Sequence, residues 1–243
     1  MTRVEQGIKI NAQHLHNVLN NLPEEISFRD QILALGYKDI EEFFKEKAIY
    51  EMRNILSNGN NITVHMKDLV PALIGAVQNE KYGIVNIYTD GTCVCHGNNQ
   101  EKILNEEYCK EHNIPIYPYN SFGGNIVATK EDYGVAFFLP TSIDISTQLV
   151  LENIVAILNK HFINVKIEGN DILISDKKVI GSGSFGNNNI FCILVYFSMS
   201  DKGDLISNIC GEPVSNKTPG YIDSNILPRE QLIAEVSSWL LEH

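Results

Sequence analysis

EGNDILISDKKVIGSGS, running from Glu168 to Ser184, reads as a turn, a short strand and a returning strand. Asn170 and Asp171 end the turn, Ile172 to Ile174 supply an apolar strand, and Asp176 with Lys177 and Lys178 makes a hairpin before Val179 and Ile180 return. The arrangement aims Lys178 toward a Gly-Ser-Gly turn at Gly181 to Gly183. Taken alone, an Asp-Lys-Lys tip is ordinary turn chemistry and reads as a solvated charged hairpin. Two stretches upstream give the lysine a second reading.

Working outward, residues 1 to 60 are mostly helical in pattern: Asn11 to Leu22, then Ser27 to Leu35 after a Pro break, then a longer run. In that run Ile40, Phe43, Phe44, Ala48, Ile49, Met52, Ile55 and Leu56 recur at helical spacing, and Gly59 follows as a stop signal. Met66 to Gly75 is apolar with Pro71 inside it, which leaves its type open. Gly83 to Gly91 is a strand ending in an Asp-Gly turn. Thr92 to His96 and Ile114 to Pro118 are strands flanking a helix over Leu104 to Asn113, and Ser121 to Asn125 is a glycine-containing loop. Gly134 to Leu139 is an apolar strand, Ser146 to His161 a helix, Val165 to Ile167 the lead into the hairpin, Ile190 to Met199 a long β-rich run, and Arg229 to Leu241 a closing helix. Strands and helices mix without regular βαβ alternation, which predicts an α+β fold with a mixed, largely antiparallel sheet and flanking helices. The expected division is a mainly helical segment over 1–80, packed on a domain over 81–243.

The chain has 243 residues, 44% of them hydrophobic, enough for a sizeable core. No apolar run approaches the ~18 to 20 residues of a membrane span, and the N-terminus lacks the apolar core of a signal peptide. A cytoplasmic protein without a membrane partner is expected. Five scattered cysteines fit reduced thiols better than a disulfide framework. A formal net charge of −11 without a Lys/Arg cluster argues against nucleic acid as a partner, yet leaves room for a local nucleotide site.

Three constellations carry chemistry. Ser121, Gly123, Gly124 and Asn125 belong to a loop whose bare backbone could approach a phosphate or carboxylate, or which is a plain turn. Cys93, Cys95 and His96, with Cys109 further on, have the residue types of a zinc site, but two cysteines two apart on a strand share one face and pack well as small apolar groups. Cys210, read in a turn before Gly211, is either an inert thiol or an acyl-accepting nucleophile with Lys178 as the partner that lowers its pKa.

In this order the stretches resemble the lipoate-protein ligases of the biotin/lipoate ligase and octanoyltransferase superfamily. The first block of that family, G-x-x-Q-N, a V-N-x-E-Y helix, a strand and R-R-x-S-G-G-G-A-V, is similar to Gly97 to Gln100, Leu104 to Tyr108, Ile114 to Tyr117 and Asn120 to Val127. The second, G-x-N-D-I and K-[VI]-S-G-S-A, is similar to Gly169 to Ile172 and Lys178 to Gly183. Two ordered blocks are far more specific than either alone. The family's arginine pair falls on Tyr119 and Asn120, its third loop glycine on Phe122 or Asn125, and its histidine after the loop is replaced within Ala128 to Glu131.

The resemblance implies a catalytic domain like those of class II aminoacyl-tRNA synthetases and biotin ligases. It implies that Lys178 grips the carboxylate of lipoate or a related acyl acid together with the α-phosphate of ATP. The Gly123-Gly124 loop, with Ser121, Asn125, Gly181 and Ser182, would line the substrate and nucleotide site, and Asn170 with Asp171 would hold Mg²⁺ or nucleotide groups. The implied acceptor is a lysine of a lipoyl domain or of a glycine-cleavage-H-type protein. Octanoyltransferases of the superfamily pair such a lysine with a cysteine in P-C-G, and Ile209-Cys210-Gly211 occupies a comparable place without the proline. Loss of the arginines also admits a binding module without turnover.

Overall fold

The computed structural model describes residues 28–97, 104–119, 125–210 and 217–241. The helix expected over Asn11 to Leu22 and the loop residues Ser121, Gly123 and Gly124 lie outside the described residues. Ten strands are present among the described residues: β1 Asn60–His65, β2 Gly83–Tyr88, β3 Cys93–Gly97, β4 Ile116–Tyr119, β5 Ile126–Ala128, β6 Tyr133–Pro140, β7 Val165–Glu168, β8 Asp171–Ile174, β9 Lys177–Gly186 and β10 Ile190–Phe197. They form a seven-stranded sheet in the order β1-β2-β6-β10-β9-β8-β7 and a three-stranded sheet in the order β4-β3-β5. β1 runs parallel to β2, the other neighbours in the large sheet are antiparallel, and β3 pairs parallel with β4 and antiparallel with β5. This is the mixed, largely antiparallel α+β arrangement that the sequence predicts.

The helices are α1 Phe28–Ala34, α2 Ile40–Asn58, α3 Leu69–Gln78, α4 Glu106–Glu111, α5 Thr147–Leu158, α6 Gly203–Cys210 and α7 Arg229–Leu241. Short polar side chains that satisfy an otherwise unpaired first-turn amide open two of the long helices. Asp39 accepts from the Glu42 N–H and opens α2, and Ser146 accepts from the Leu149 N–H and opens α5. The ambiguous run around Pro71 is helix α3, with the proline in the first turn, where no intrahelical N–H is needed. Strand β1 and helix α2, both within residues 1–80, contribute to the large sheet and its covering layer.

β6 is buried along almost its whole length, because both faces of the central strands are covered. On one face α2, α5 and α7 bring Met52, Leu56, Leu151, Ile154 and Val236 against Phe137, Ile180, Ile193, Val195 and Phe197. On the other, α3 and the three-stranded sheet bring Leu69, Leu73, Cys93, Cys95 and Ala128 against Val85, Ala136, Phe138, Cys192 and Leu194. Behind the small sheet, α4 and α6 close a further cluster with Val94, Cys109, Val127, Ile209 and Cys210.

A buried ion pair pins the two sheets together. Lys202 Nζ lies 2.7 Å from Asp132 Oδ2 and donates to the Val127 carbonyl at 3.1 Å. Asp132 also accepts from the Tyr196 hydroxyl at 2.7 Å, the Thr129 N–H at 2.7 Å and the Met199 N–H at 2.8 Å. Burial pushes the Lys202 ammonium below the ordinary lysine range, opposed by Asp132.

Candidate active site

The hairpin β8-β9 closes through Ser175 and Asp176, both at positive φ (48° and 65°), as a two-residue turn that matches strand twist requires. Lys177 and Lys178 therefore belong to β9 rather than to the tip, and Gly181 to Gly183 are strand interior rather than a turn. Opposite residues run Asp171 to Gly181 and Ile172 to Ile180, then shift so that Leu173 faces Lys178. Val179 is the extra residue of a β-bulge. Side chains alternate faces, so without it Lys178 would stand opposite Ile174 and point away from Asp171. With it, Val179 and Ile180 both enter the core while Lys178 joins Asp171 and Gly181 on the other face.

Two anchors hold this geometry. The segment 217–220 takes over beside β9 beyond the end of β10: the Lys178 N–H donates to the Thr218 carbonyl at 2.9 Å, and the Gly220 N–H donates to the Lys178 carbonyl at 2.8 Å. A Cβ at Gly220 would stand 2.6 Å from Lys177 Cβ, so the segment can lie this close only with glycine there. On the other side, Ser182 N–H and hydroxyl both donate to the Asn170 carbonyl, at 2.9 and 2.7 Å, which fixes the turn before β8. Ser182 thus meets Asn170, two of the residues predicted for the site, as a turn anchor.

Lys178 Nζ lies 2.9 Å from Asp171 Oδ1, and Lys217 Nζ lies 2.9 Å from Asp171 Oδ2. The Lys178 side chain remains 36% exposed and that of Asp171 16%. A Cβ on Gly181 would stand 3.4 Å from Lys178 Nζ, whereas one on Gly183 would meet nothing within 4 Å. Bare backbone therefore borders the ammonium, the surface an anionic group needs for close approach. Lys217 carries no signal in the sequence that sets it apart from other lysines.

Asp171, expected to hold Mg²⁺, has an ammonium on each carboxylate oxygen. A divalent cation on those oxygens would stand against two positive charges, and among the described residues no three His, Cys, Asp or Glu side chains converge on a metal position. The donor set at Asp171 does not fit a protein-held Mg²⁺.

The other predicted residues meet on the small sheet. Asn125, which precedes β5, has its amide oxygen 2.7 Å from His96 Nδ1 and its amide nitrogen 3.8 Å from Cys210 Sγ. Cys210 ends helix α6 and is buried, in contrast to the turn position read from sequence. Burial pushes its thiol up, the Asn125 hydrogen bond pulls it partly back, and Lys178 is absent among the groups that shift it. Alkylation by iodoacetamide, followed by intact mass beside a Cys210→Ser control, is therefore expected to be slower than for free cysteine at pH 7 and to accelerate as pH rises past 9. Cys93 and Cys95 pack inward, and burial pushes the Cys95 thiol up to about 12, in keeping with the apolar reading of that pair. An open cavity of about 670 Å³, lined in part by His65, Tyr108, His112 and Tyr117, contains none of these residues.

The family model for the lipoyl protein ligase A/B catalytic domain matches residues 71–226. A comparison with the curated proteins gives no match. Among solved structures, the fold is similar to that of P. falciparum LipL1 in complex with lipoate, with a TM-score of 0.63 at 16% identity over 74% of this chain and 60% of that one. The chain thus spans about three fifths of the length of that relative. It is also similar to the bipartite lipoate protein ligase of Thermoplasma acidophilum, described with its E2 lipoyl domain, with a TM-score of 0.60 at 14% identity over 75% and 83%. A lipoate-protein ligase A bound with ATP aligns with a TM-score of 0.60 at 12% identity over 75% and 85%.

Proposed function

Since the chain belongs to the lipoyl protein ligase A/B catalytic-domain family, we propose that it activates lipoate or a similar acyl acid with ATP and passes the acyl group to a lysine of a lipoyl domain. The observation that carries this reading is Lys178, turned by the bulge onto an open glycine-bordered face beside Asp171. In the first step a carboxylate oxygen of the acid attacks the α-phosphorus and pyrophosphate leaves, giving an acyl-adenylate. Two anions must meet, and an ammonium between them lowers their repulsion and stabilises the charge that develops on phosphorus. In the second step the neutral amine of the acceptor lysine attacks the acyl carbonyl, AMP leaves with the bonding electron pair, and the amine proton passes to solvent. Asp171, with an ammonium on each oxygen, would not hold Mg²⁺; a divalent cation carried by the nucleotide would supply charge neutralisation at its phosphates. Ser121, Gly123, Gly124 and Asn125 are proposed to line the phosphate side. Relatives that bind lipoate and ATP or are described with a lipoyl domain support the substrate classes. A glycine-cleavage-H-type protein is a further acceptor of the same chemistry.

Purified protein with lipoate, ATP, Mg²⁺ and a lipoyl domain is expected to release pyrophosphate and to add one lipoyl mass to the domain. Absence of both would overturn the reading. In a second reading Cys210, whose thiol Asn125 bonds, takes octanoyl from a carrier-protein thioester without ATP, and the carrier's thiol leaves. An acyl mass that appears on the chain with octanoyl-carrier protein and vanishes in Cys210→Ser would establish it.

A further inference from the structure

Lys178 shares its counter-ion with a second lysine that the ligase chemistry does not use. Asp171 accepts Lys178 on Oδ1 and Lys217 on Oδ2, both at 2.9 Å. Lys217 is the more fixed of the two: its ammonium also donates to the Glu168 carbonyl at 2.6 Å, and its side chain is 19% exposed against 36% for Lys178. The Glu168 carboxylate, 3.7 Å from Lys217, is half exposed and shared with Lys166 at 3.9 Å, so solvent and Lys166 screen it. Both ammonium groups thus bond to the same partly buried carboxylate.

A lysine paired one-to-one with an aspartate is neutral as seen by an approaching anion. It would attract a phosphate or acyl carboxylate only by giving up its partner. We propose that Lys217 sets the charge of this site: it neutralises Asp171 from behind, so that Asp171 can orient the Lys178 ammonium without cancelling its attraction for an anionic ligand. Lys217 is a positioning and charge-setting residue, and Lys178 is the group that meets the anion. The placement of Lys217 on the segment that also hydrogen-bonds both backbone groups of Lys178 makes the two a single unit. The proposal deepens the ligase reading and rests on it for the identity of the anion.

Inorganic pyrophosphate is the probe, because its binding can be read by calorimetry whether or not the acyl substrate is known. Lys217→Met is expected to weaken pyrophosphate binding about tenfold, the scale of one lost charge at this range in a partly solvated site. Lys217→Arg, which keeps the charge, should bind within about threefold of the unaltered protein. Asp171→Asn is expected to tighten binding, and the double variant Lys217→Met with Asp171→Asn to recover most of the loss, since removing the carboxylate offsets the charge that Lys217→Met takes away. A purely structural role for Lys217 predicts the reverse, a double variant at least as weak as the single one, and that result overturns the proposal. Asp171→Asn alone, which leaves both lysines in place, decides the matter if Lys217→Met fails to fold: weaker binding overturns it. The expected pattern in a protein that shows no lipoate activation would keep the charge arrangement and remove the ligase reading. No pyrophosphate binding by a protein that does activate lipoate would remove the charge arrangement alone.

Discussion

Lys178→Ala is expected to lower the rate of pyrophosphate release with lipoate and ATP by about 10² to 10³-fold, the loss that follows removal of one preorganised group facing charge that grows in the transition state. The melting temperature should move little. The side chain is more than a third exposed, Asp171 keeps Lys217, and substitutions away from buried features cost within about 0.5 kcal/mol. Lys178→Arg should recover only a small part of the rate. A planar guanidinium is a fork that suits one bidentate partner, whereas the proposed task is a compact charge placed between two anions. Steady-state pyrophosphate release at saturating substrates separates the variants, and a Lys178→Ala enzyme as fast as the unaltered one would remove the lysine from the chemistry.

The second large effect concerns stability and is unequal between two partners of one ion pair. Asp132→Ala is expected to destabilise the protein by about 3 to 5 kcal/mol, because it leaves the Lys202 ammonium deep in the protein with, among the described residues, only the Val127 carbonyl as a close oxygen partner. At this chain length that corresponds to a melting temperature lower by roughly 10 °C. Lys202→Met should cost less, about 1 to 3 kcal/mol. The carboxylate left behind still accepts from the Tyr196 hydroxyl and from the N–H groups of Thr129 and Met199, and its pocket was built around those donors. Combining the two changes should cost less than the sum, since no charge is then left uncompensated. Chemical denaturation of the three variants measures each quantity, and equal costs for both single changes would show that the hydrogen bonds to Asp132 carry little of the stabilisation.

Much of the fold was legible because it is written in local signals. The closing helix occupies Arg229–Leu241, the bounds that its pattern predicts, and the hairpin read at Asp176 to Lys178 is present, with its turn at Ser175 and Asp176. The large sheet and its class followed from the mixture of strands and helices. What could not be read depends on contacts between distant parts of the chain. Asp132 and Lys202 stand in charged, glycine-bearing stretches that look solvated, yet each is buried by the other's element. Lys217 is joined to Asp171 only because its segment extends the sheet past the end of β10. Gly181 to Gly183 suggested a turn because glycine is a turn residue, but here it lies within a strand, beside an ammonium that a side chain would crowd. Cys210 was placed in a turn by the glycine after it, and the helix that ends on it carries its apolar residues toward α4.

The bulge at Val179 makes the position of the central ammonium a matter of counting rather than of residue identity. Any lysine one place earlier or later along the same strand would face the core or the wrong neighbour, however well the surrounding letters were kept. Comparisons between such chains that tolerate a one-residue gap in this hairpin therefore pass over the feature on which the proposed reaction would depend. Insertion or loss of a single residue between Lys178 and Ile180 is expected to turn the ammonium to the other face of the sheet.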